Sequence, residues 1–324
     1  MDNKEIKKIF FIRSDRLGEF LLSLYAIKLV KLNYPDSKVY LLAKKDNIEL
    51  IKGVDFVDCF LEYENNAFAG YKGAFNLSGI LRKEKIDCVI SLNPKKEFHL
   101  ASFLSGTPLR LGYDRKWGFC LNRKIKDEKY LAQKHEAEYN FNLVKLICKN
   151  VFTPSLDFPV DEPNTLHMLA EHFNLSQKYI VIHPFSSNPL KKIEDNFWEN
   201  LVSALKEKCT GNIVLIGSKE ERPESEKLAE KLNVKNITGN LSLRNLASFL
   251  KHNCALFIGL DSGPMHLASI FKKPVVGLFK ISSSRRWGPF NTQSLILEST
   301  DLSAFLAKIE DILKFACANA AGKI

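Results

Sequence analysis

The sequence predicts an α/β protein of two doubly wound, parallel-sheet domains, and three observations carry that prediction. Short runs of β-formers alternate with amphipathic helical patterns along most of the chain, a proline-rich break interrupts the alternation near its middle, and the alternation then resumes. At 324 residues the chain is also too long for one ordinary core and suits two of about 150 residues each.

In the first half, strands are expected at Lys8 to Arg13 (KIFFIR), Lys38 to Ala43, Val57 to Leu61 and Asp87 to Leu92. A helix starts near Glu19 and is stopped by Tyr34-Pro35-Asp36; others fall near Asn47 to Lys52, Tyr71 to Lys85, Glu97 to Leu104 and Gln133 to Cys148. Pro154, Pro159 and Pro163 then punctuate the chain, so the first domain is assigned to 1–160 and a linker to 161–178, with a short amphipathic piece around Leu166 to Phe173. The second domain, 179–300, has strands at Tyr179 to Pro184, Asn212 to Gly217, Cys254 to Leu260 and Val275 to Phe279. Its helices lie near Asp195 to Cys209, Glu220 to Leu232, Leu243 to His252 and Pro264 to Phe271. A last helix, Leu302 to Phe315 within 301–324, is expected to pack back on the first domain. No internal repeat is evident, so any likeness of the halves is architectural.

Composition narrows the function. Hydrophobic content of 45% with 26% charged residues is that of a soluble globular protein. No apolar run approaches the ~18 residues of a membrane span, and Arg13, Asp15 and Arg16 break the N-terminus before a signal-peptide core, so a cytoplasmic location is expected. Seven scattered cysteines without a C-x-x-C suggest core thiols rather than a zinc site or disulfide framework. Net charge is +10, and Lys72 to Lys134 holds fourteen Lys/Arg against six Asp/Glu. That segment, with Lys95, Lys96, Arg115 and Lys116 as its paired cations, suggests an anionic partner or else a solvated lysine surface. Nucleic acid is disfavoured because no recognised binding motif accompanies the charge. Neither half carries G-x-G-x-x-G after its first strand or a G-x-x-x-x-G-K-[ST] loop, which argues against dinucleotide oxidoreductases, kinases and ATPases.

The most informative stretch is CALFIGLDSGPMHLASIFKKPVVGLF, Cys254 to Phe279. A buried strand stops at Asp261-Ser262-Gly263-Pro264, a helix follows, and Lys272-Lys273-Pro274 ends it before the next strand. Small residues at such a turn let a phosphate approach the backbone, where the helix dipole favours negative charge. Asp261 and His266 flank the turn and suit a crevice at the carboxyl end of the sheet, although an N-cap Asp and a helix-surface His are the plainer alternative.

The string D-S-G-P-M-H-L-A resembles the D-[ST]-G-x-x-H-[LI]-A signature of glycosyltransferase family 9, the lipopolysaccharide heptosyltransferases and their relatives. The likeness runs from about Lys8 to Phe290. It implies a GT-B fold, two Rossmann-like domains facing a central cleft. IRSDRLGEFLLSLYAIK is similar to the family's opening motif, whose acidic residue is the proposed catalytic base; the matching position is Glu19, a departure from the usual Asp. HPFSSNPLKKIEDNFW resembles the segment that approaches the donor diphosphate, with Ser186, Ser187 and Lys191 matching, Lys192 a rival, and Ile193 where an aromatic is common. Glu220 matches an acidic residue on the nucleotide ribose, with Glu221 as its alternative. Arg285, Arg286 and Trp287 either close over phosphates or pack on one another. His183, ending a strand, reads as a core histidine.

The resemblance therefore implies an inverting transfer of a sugar, with ADP-heptose favoured as donor, to a phosphorylated lipopolysaccharide-core glycolipid. Catalysis falls to Glu19, Lys191 and Asp261, and donor binding to Ser186, Ser187, Lys191, Glu220, Asp261, Ser262, Gly263 and His266. The acceptor falls to Lys95, Lys96, Arg115 and Lys116. No obligatory metal or cofactor is expected, because amides and a lysine can stabilise a leaving diphosphate. A monomer, peripheral at the inner face of the cytoplasmic membrane, is the expected state. The competing readings are a sugar-nucleotide epimerase or hydrolase on the same fold, and a nucleotide-sugar-binding protein without turnover.

Overall fold

The computed structural model describes residues 6–160, 173–174, 176–209 and 211–320. The chain divides into two compact units, Met1–Phe158 and Pro159–Ile324. The linker's residues 161–172, and with them most of the expected Leu166 to Phe173 piece, lie outside the described residues.

In the first unit, β1 (Lys8–Ile12), β2 (Lys38–Ala43), β3 (Cys59–Glu62), β4 (Cys88–Ser91), β5 (Leu109–Asp114) and β6 (Arg123–Lys126) form one sheet in the order β3-β2-β1-β4-β5-β6. Every neighbouring pair is parallel. A parallel sheet is covered on both faces, which is why its central strands are continuous apolar runs; Ile9 to Ile12 are all buried. The order reverses between β1 and β4, where Ile12 pairs with Ser91. Chains leave that point in opposite directions and open a crevice at the carboxyl ends. The helix Leu17–Asn33 is apolar nearly all round, buries Phe20 to Ile27, Leu29 and Val30, and packs against the helix Glu136–Val144. A helix buried on all sides holds its first turn in one place.

The second unit repeats this winding. Its strands are β7 (Tyr179–His183), β8 (Asn212–Leu215), β9 (Lys235–Asn236), β10 (Cys254–Leu260), β11 (Val275–Phe279) and β12 (Ser294–Glu298), ordered β12-β11-β10-β7-β8-β9. All pairs are again parallel, and the reversal falls between β7 and β10, where Gly259 pairs with His183. A Cβ on Gly259 would sit 2.7 Å from the His183 carbonyl oxygen, so the two strands approach there as only glycine allows.

Four strands were not expected from the sequence: β5, β6, β9 and β12. β6 is an edge strand, RKIK, whose charges mask any strand pattern, and β9 has two residues. The expected terminal helix is two pieces, Leu302–Leu306 and Ile309–Ala320. Phe305, Ile312, Leu313 and Ala316 are buried in one core with Trp198, Leu201 and Leu205. The expectation that this segment returns to the first unit therefore assigned its apolar face to the wrong core. All seven cysteines are free thiols, four buried and three half-buried.

Candidate functional site

Each unit places charged side chains at its own reversal point. In the first, β1 ends in Arg13, which is buried although it is an arginine. Its Nη1 donates to the Leu92 carbonyl beyond β4 at 2.8 Å, and Nε and Nη2 donate to the Glu19 carbonyl at 3.1 and 3.0 Å. Its charge faces Asp15 at 3.3 Å and Glu136 at 3.4 Å, and Lys129 reaches the same Glu136 oxygen at 2.6 Å. Arg13 thus ties the ends of β1 and β4 to the start of the Leu17–Asn33 helix. From the sequence Arg13 reads only as a strand residue, and Glu136, Lys129 and Asn93, far apart along the chain, carry no local signal that joins them to it.

Arg13 holds Glu19 by its backbone carbonyl and not by its carboxylate. Burial pushes the Glu19 carboxyl above the ordinary carboxylate value; its own backbone N–H and the Arg13 charge oppose this and lose. The dipole of the helix start would by itself lower that pKa, so desolvation decides the direction. Asp15, another carboxylate acting on Glu19, accepts a hydrogen bond from Asn93 and pairs with Arg13. Ser14 Oγ and Asn93 Oδ1 are buried beside it without a protein partner. Arg13→Met keeps the stem but strips the carbonyls and Glu136 of a buried cation, and is expected to cost about 3–5 kcal/mol. An unfolding free energy from denaturant titration within about 1 kcal/mol of the wild type would show that the Arg13 contacts hold little together.

In the second unit, the segment after β7 and the turn after β10 meet. Lys191, in the short helical turn Pro189–Lys191, places its ammonium 2.5 Å from Asp261 Oδ2, and His266 Nε2 lies 3.9 Å from Asp261 Oδ1. Asp261 and His266 are nearly buried, at 8% and 2% side-chain exposure, whereas Lys191 is a quarter exposed. The rival Lys192 bonds Glu224 on the surface at 2.5 Å, so it is Lys191 that faces the turn. The helix Gly263–Ile270 begins at Ser262, whose hydroxyl makes no cap and is buried without a partner. Ser186 Oγ accepts from the Asn188 amide, Ser187 is exposed, and Ile193 is buried in the core.

Glu220 and Glu221 separate clearly. Glu221 accepts from the Ser218 amide at 2.7 Å and faces His183 Nε2 at 3.6 Å. Burial would raise its carboxyl, but His183 and Ser218 together hold it below the ordinary value. Glu221 therefore braces the end of β7, while Glu220 stands exposed, its carboxyl lowered mainly by the Ser218 hydroxyl. Arg286 lies 4.5 Å over the Trp287 ring, the packing alternative for that loop.

The expected acceptor cations are less uniform. Lys95 is half-buried, 3.2 Å from the Tyr63 hydroxyl and over the Tyr63 and Phe98 rings. Arg115 pairs with Asp127 at 2.9 Å. Lys96 and Lys116 are exposed. No cluster of three or more His, Cys, Asp or Glu groups able to hold a metal occurs among the described residues.

Comparison with known proteins identifies the family and the fold. The family model of glycosyltransferase family 9 (heptosyltransferase) matches residues 75–314. Lipopolysaccharide heptosyltransferase 3 of Escherichia coli K12 is 24% identical over 292 residues, covering 86% of this chain and 84% of that protein. Among solved structures, a family 9 glycosyltransferase of Veillonella parvula superposes with a TM-score of 0.84 at 18% identity, covering 98% of this chain and 99% of that one. The E. coli ADP-heptose lipopolysaccharide heptosyltransferase II superposes with a TM-score of 0.76 at 18% identity, covering 95% and 98%. The family match covers nearly all of the second unit and about half of the first, and the turn that resembles the family's signature is the one where Lys191, Asp261 and His266 converge: the chain belongs to glycosyltransferase family 9 and is a glycosyltransferase.

Proposed function

We propose that the protein is an inverting glycosyltransferase that moves heptose from ADP-heptose to a phosphorylated lipopolysaccharide-core glycolipid at the inner face of the cytoplasmic membrane. The observation that carries the proposal is the Lys191, Asp261 and His266 cluster at the start of the Gly263–Ile270 helix. A helix start beside a lysine suits a diphosphate, and the unpartnered Ser262 hydroxyl offers it a further donor. Asp261 is itself an anion, so its part is to aim Lys191 and His266 rather than to touch phosphate. Glu220, exposed at the end of the neighbouring β8 loop, is suited to the ribose hydroxyls, and Ser186 and Ser187 to the diphosphate. Heptose and the ADP moiety follow from the relatives, lipopolysaccharide heptosyltransferase 3 and the ADP-heptose heptosyltransferase II of E. coli.

In an inverting transfer the acceptor hydroxyl attacks the anomeric carbon opposite the departing diphosphate. The C–O bond to the acceptor forms, the bond to the diphosphate breaks, and the hydroxyl proton passes to a base. Glu19 is that base: its carboxylate is not consumed by Arg13, and burial raises its basicity. Lys191 stabilises the charge growing on the leaving diphosphate, which makes a metal unnecessary in this reading. Lys95, Lys96, Arg115 and Lys116 belong to the acceptor side, and the enzyme acts as a monomer. An epimerase, a hydrolase or a binding protein would give no acceptor-linked sugar, so the product mixture of ADP-heptose with a core glycolipid separates these readings.

ADP at 100 times its dissociation constant is expected to stabilise the fold by about 2.7 kcal/mol. Gly263→Val places a branched side chain at the first helical position and is expected to abolish that shift in a thermal-denaturation assay. If the shift survives the substitution, the nucleotide sits elsewhere.

A further inference from the structure

The first unit carries an exposed aromatic surface that the transfer chemistry leaves unused. Tyr71 and Phe75, one helical turn apart on Gly70–Lys83, are 58% and 62% exposed, and Phe119 is 74% exposed. Trp117 joins them: its ring centroid lies 5.9 Å from that of Tyr71 and 5.7 Å from that of Phe119. The rings are not loose decoration. Lys116 and Trp117 both take left-handed backbone conformations, φ 49° and 70°, which side chains adopt only when the surroundings impose them. Here the buried His99 fixes the loop, its Nδ1 being 3.1 Å from the Lys116 carbonyl. Burial lowers the His99 pKa to about 4, so the imidazole stays neutral across the physiological range. Gly118 completes the turn, since a Cβ there would lie 2.3 Å from Asp114 Oδ1.

Cations border the rings. Lys96 lies 5.8 Å from the Tyr71 ring centre, and Lys72, Arg82 and Lys83 share the exposed face of the Gly70–Lys83 helix, on which no acidic residue occurs. Glu97 borders the patch, and Asp114 is neutralised by Lys124 at 3.0 Å. The space enclosed by Tyr71, Lys96, Leu100 and Trp117 is about 10 Å³, room for a single water at most. The surface is therefore packed and not a small-molecule pocket. Protein interfaces are depleted in lysine, whereas aromatic rings among lysines are what the headgroup layer of an anionic bilayer selects.

From this arrangement we propose that the Tyr71, Phe75, Trp117 and Phe119 surface docks on an anionic phospholipid bilayer, the rings entering the headgroup region and the surrounding lysines facing lipid phosphates. The proposal deepens the glycolipid reading above and rests on it only for the purpose of such docking. A protein that takes its acceptor from a membrane gains by being held at one face of it.

The test is co-sedimentation of the full chain with phosphatidylcholine vesicles with and without phosphatidylglycerol, containing no acceptor. Wild type is expected to bind only the anionic vesicles. Phe75→Ser/Phe119→Ser, at two exposed positions, is expected to weaken binding on the order of tenfold, and Lys72→Gln about fivefold. Trp117 emission is expected to shift to the blue on vesicles, a change that Trp117→Phe removes and that needs no destabilising variant. The ADP-induced thermal shift is expected to persist in all of these variants; its loss in the wild type would fault the nucleotide reading and leave the docking result standing. Docking is overturned if wild type does not sediment, or if the Phe75→Ser/Phe119→Ser protein sediments equally. It is overturned too if these substitutions disperse a dimer while vesicle binding is absent, because the surface then serves a protein.

Discussion

Glu19→Gln is expected to lower kcat by about 10²–10⁴-fold with donor affinity nearly unchanged, because a hydroxyl nucleophile needs a positioned base and the amide keeps the shape without the basicity. The pH profile makes the test specific. Burial raises the Glu19 pKa above its ordinary value of 4.5, so the acid limb of kcat/KM should lie above that of an exposed carboxylate and disappear in the variant. Stability should move the other way. A carboxyl whose pKa is raised by folding binds protons more tightly in the native state, so ionising it costs stability. That cost is absent below the unfolded pKa, grows as pH rises through the folded one, and is complete above it. Glu19→Gln should therefore leave stability at acid pH unchanged and raise it at neutral pH, while activity falls. Glu19→Asp restores the family's usual residue and should retain partial activity if reach alone differs. Wild-type turnover in Glu19→Gln with a true acceptor would transfer the role to another group, and Asp15 would be a poor substitute since Asn93 and Arg13 already hold it.

Lys191→Met is expected to lower kcat by about 10²–10³-fold, the usual consequence of removing one preorganised group from a developing charge. Two effects contribute, and a double-mutant cycle separates them. With the ammonium gone, the Asp261 carboxylate, 2.5 Å away in the native protein, is left facing an incoming diphosphate, which should weaken donor binding. Lys191→Met/Asp261→Asn removes that repulsion and should recover donor affinity, yet kcat should stay low because the leaving group still lacks its cation. If the double variant regains both, Lys191 serves only to neutralise Asp261. If Lys191→Met keeps kcat within about threefold, the departing diphosphate is stabilised by other groups, since removal of a working donor costs far more.

Much of this architecture was legible in the chain because parallel sheets bury both faces and so write themselves as apolar runs. KIFFIR, KVYLLA, YIVIHP and CALFIGL each announce a central strand, and Asp261-Ser262-Gly263-Pro264 announces the helix start beside which a phosphate is expected. Local signals of this kind depend on neighbours in sequence, and a sequence contains them. The edge strands β6 and β9 and the fate of the terminal helix were not legible, since an edge strand needs no apolar pattern and an amphipathic helix does not name the core it will cover.

The choice between adjacent candidates likewise belonged to the tertiary structure. Nothing local separates Lys191 from Lys192 or Glu220 from Glu221; the fold does so by bringing Asp261 to the first pair and His183 to the second across intervals of about 70 and 40 residues. Which residue types stand at the carboxyl ends of β1, β7 and β10 is readable along the chain, because motif and strand end are contiguous. Their state is set by the folded packing: Arg13 is buried and grips the Glu19 backbone, burial overrides the helix dipole and makes Glu19 more basic, and Lys191 points inward. Charge and burial are set by atoms distant along the chain, and electrostatic interactions depend on separation in space and on the water that folding removes.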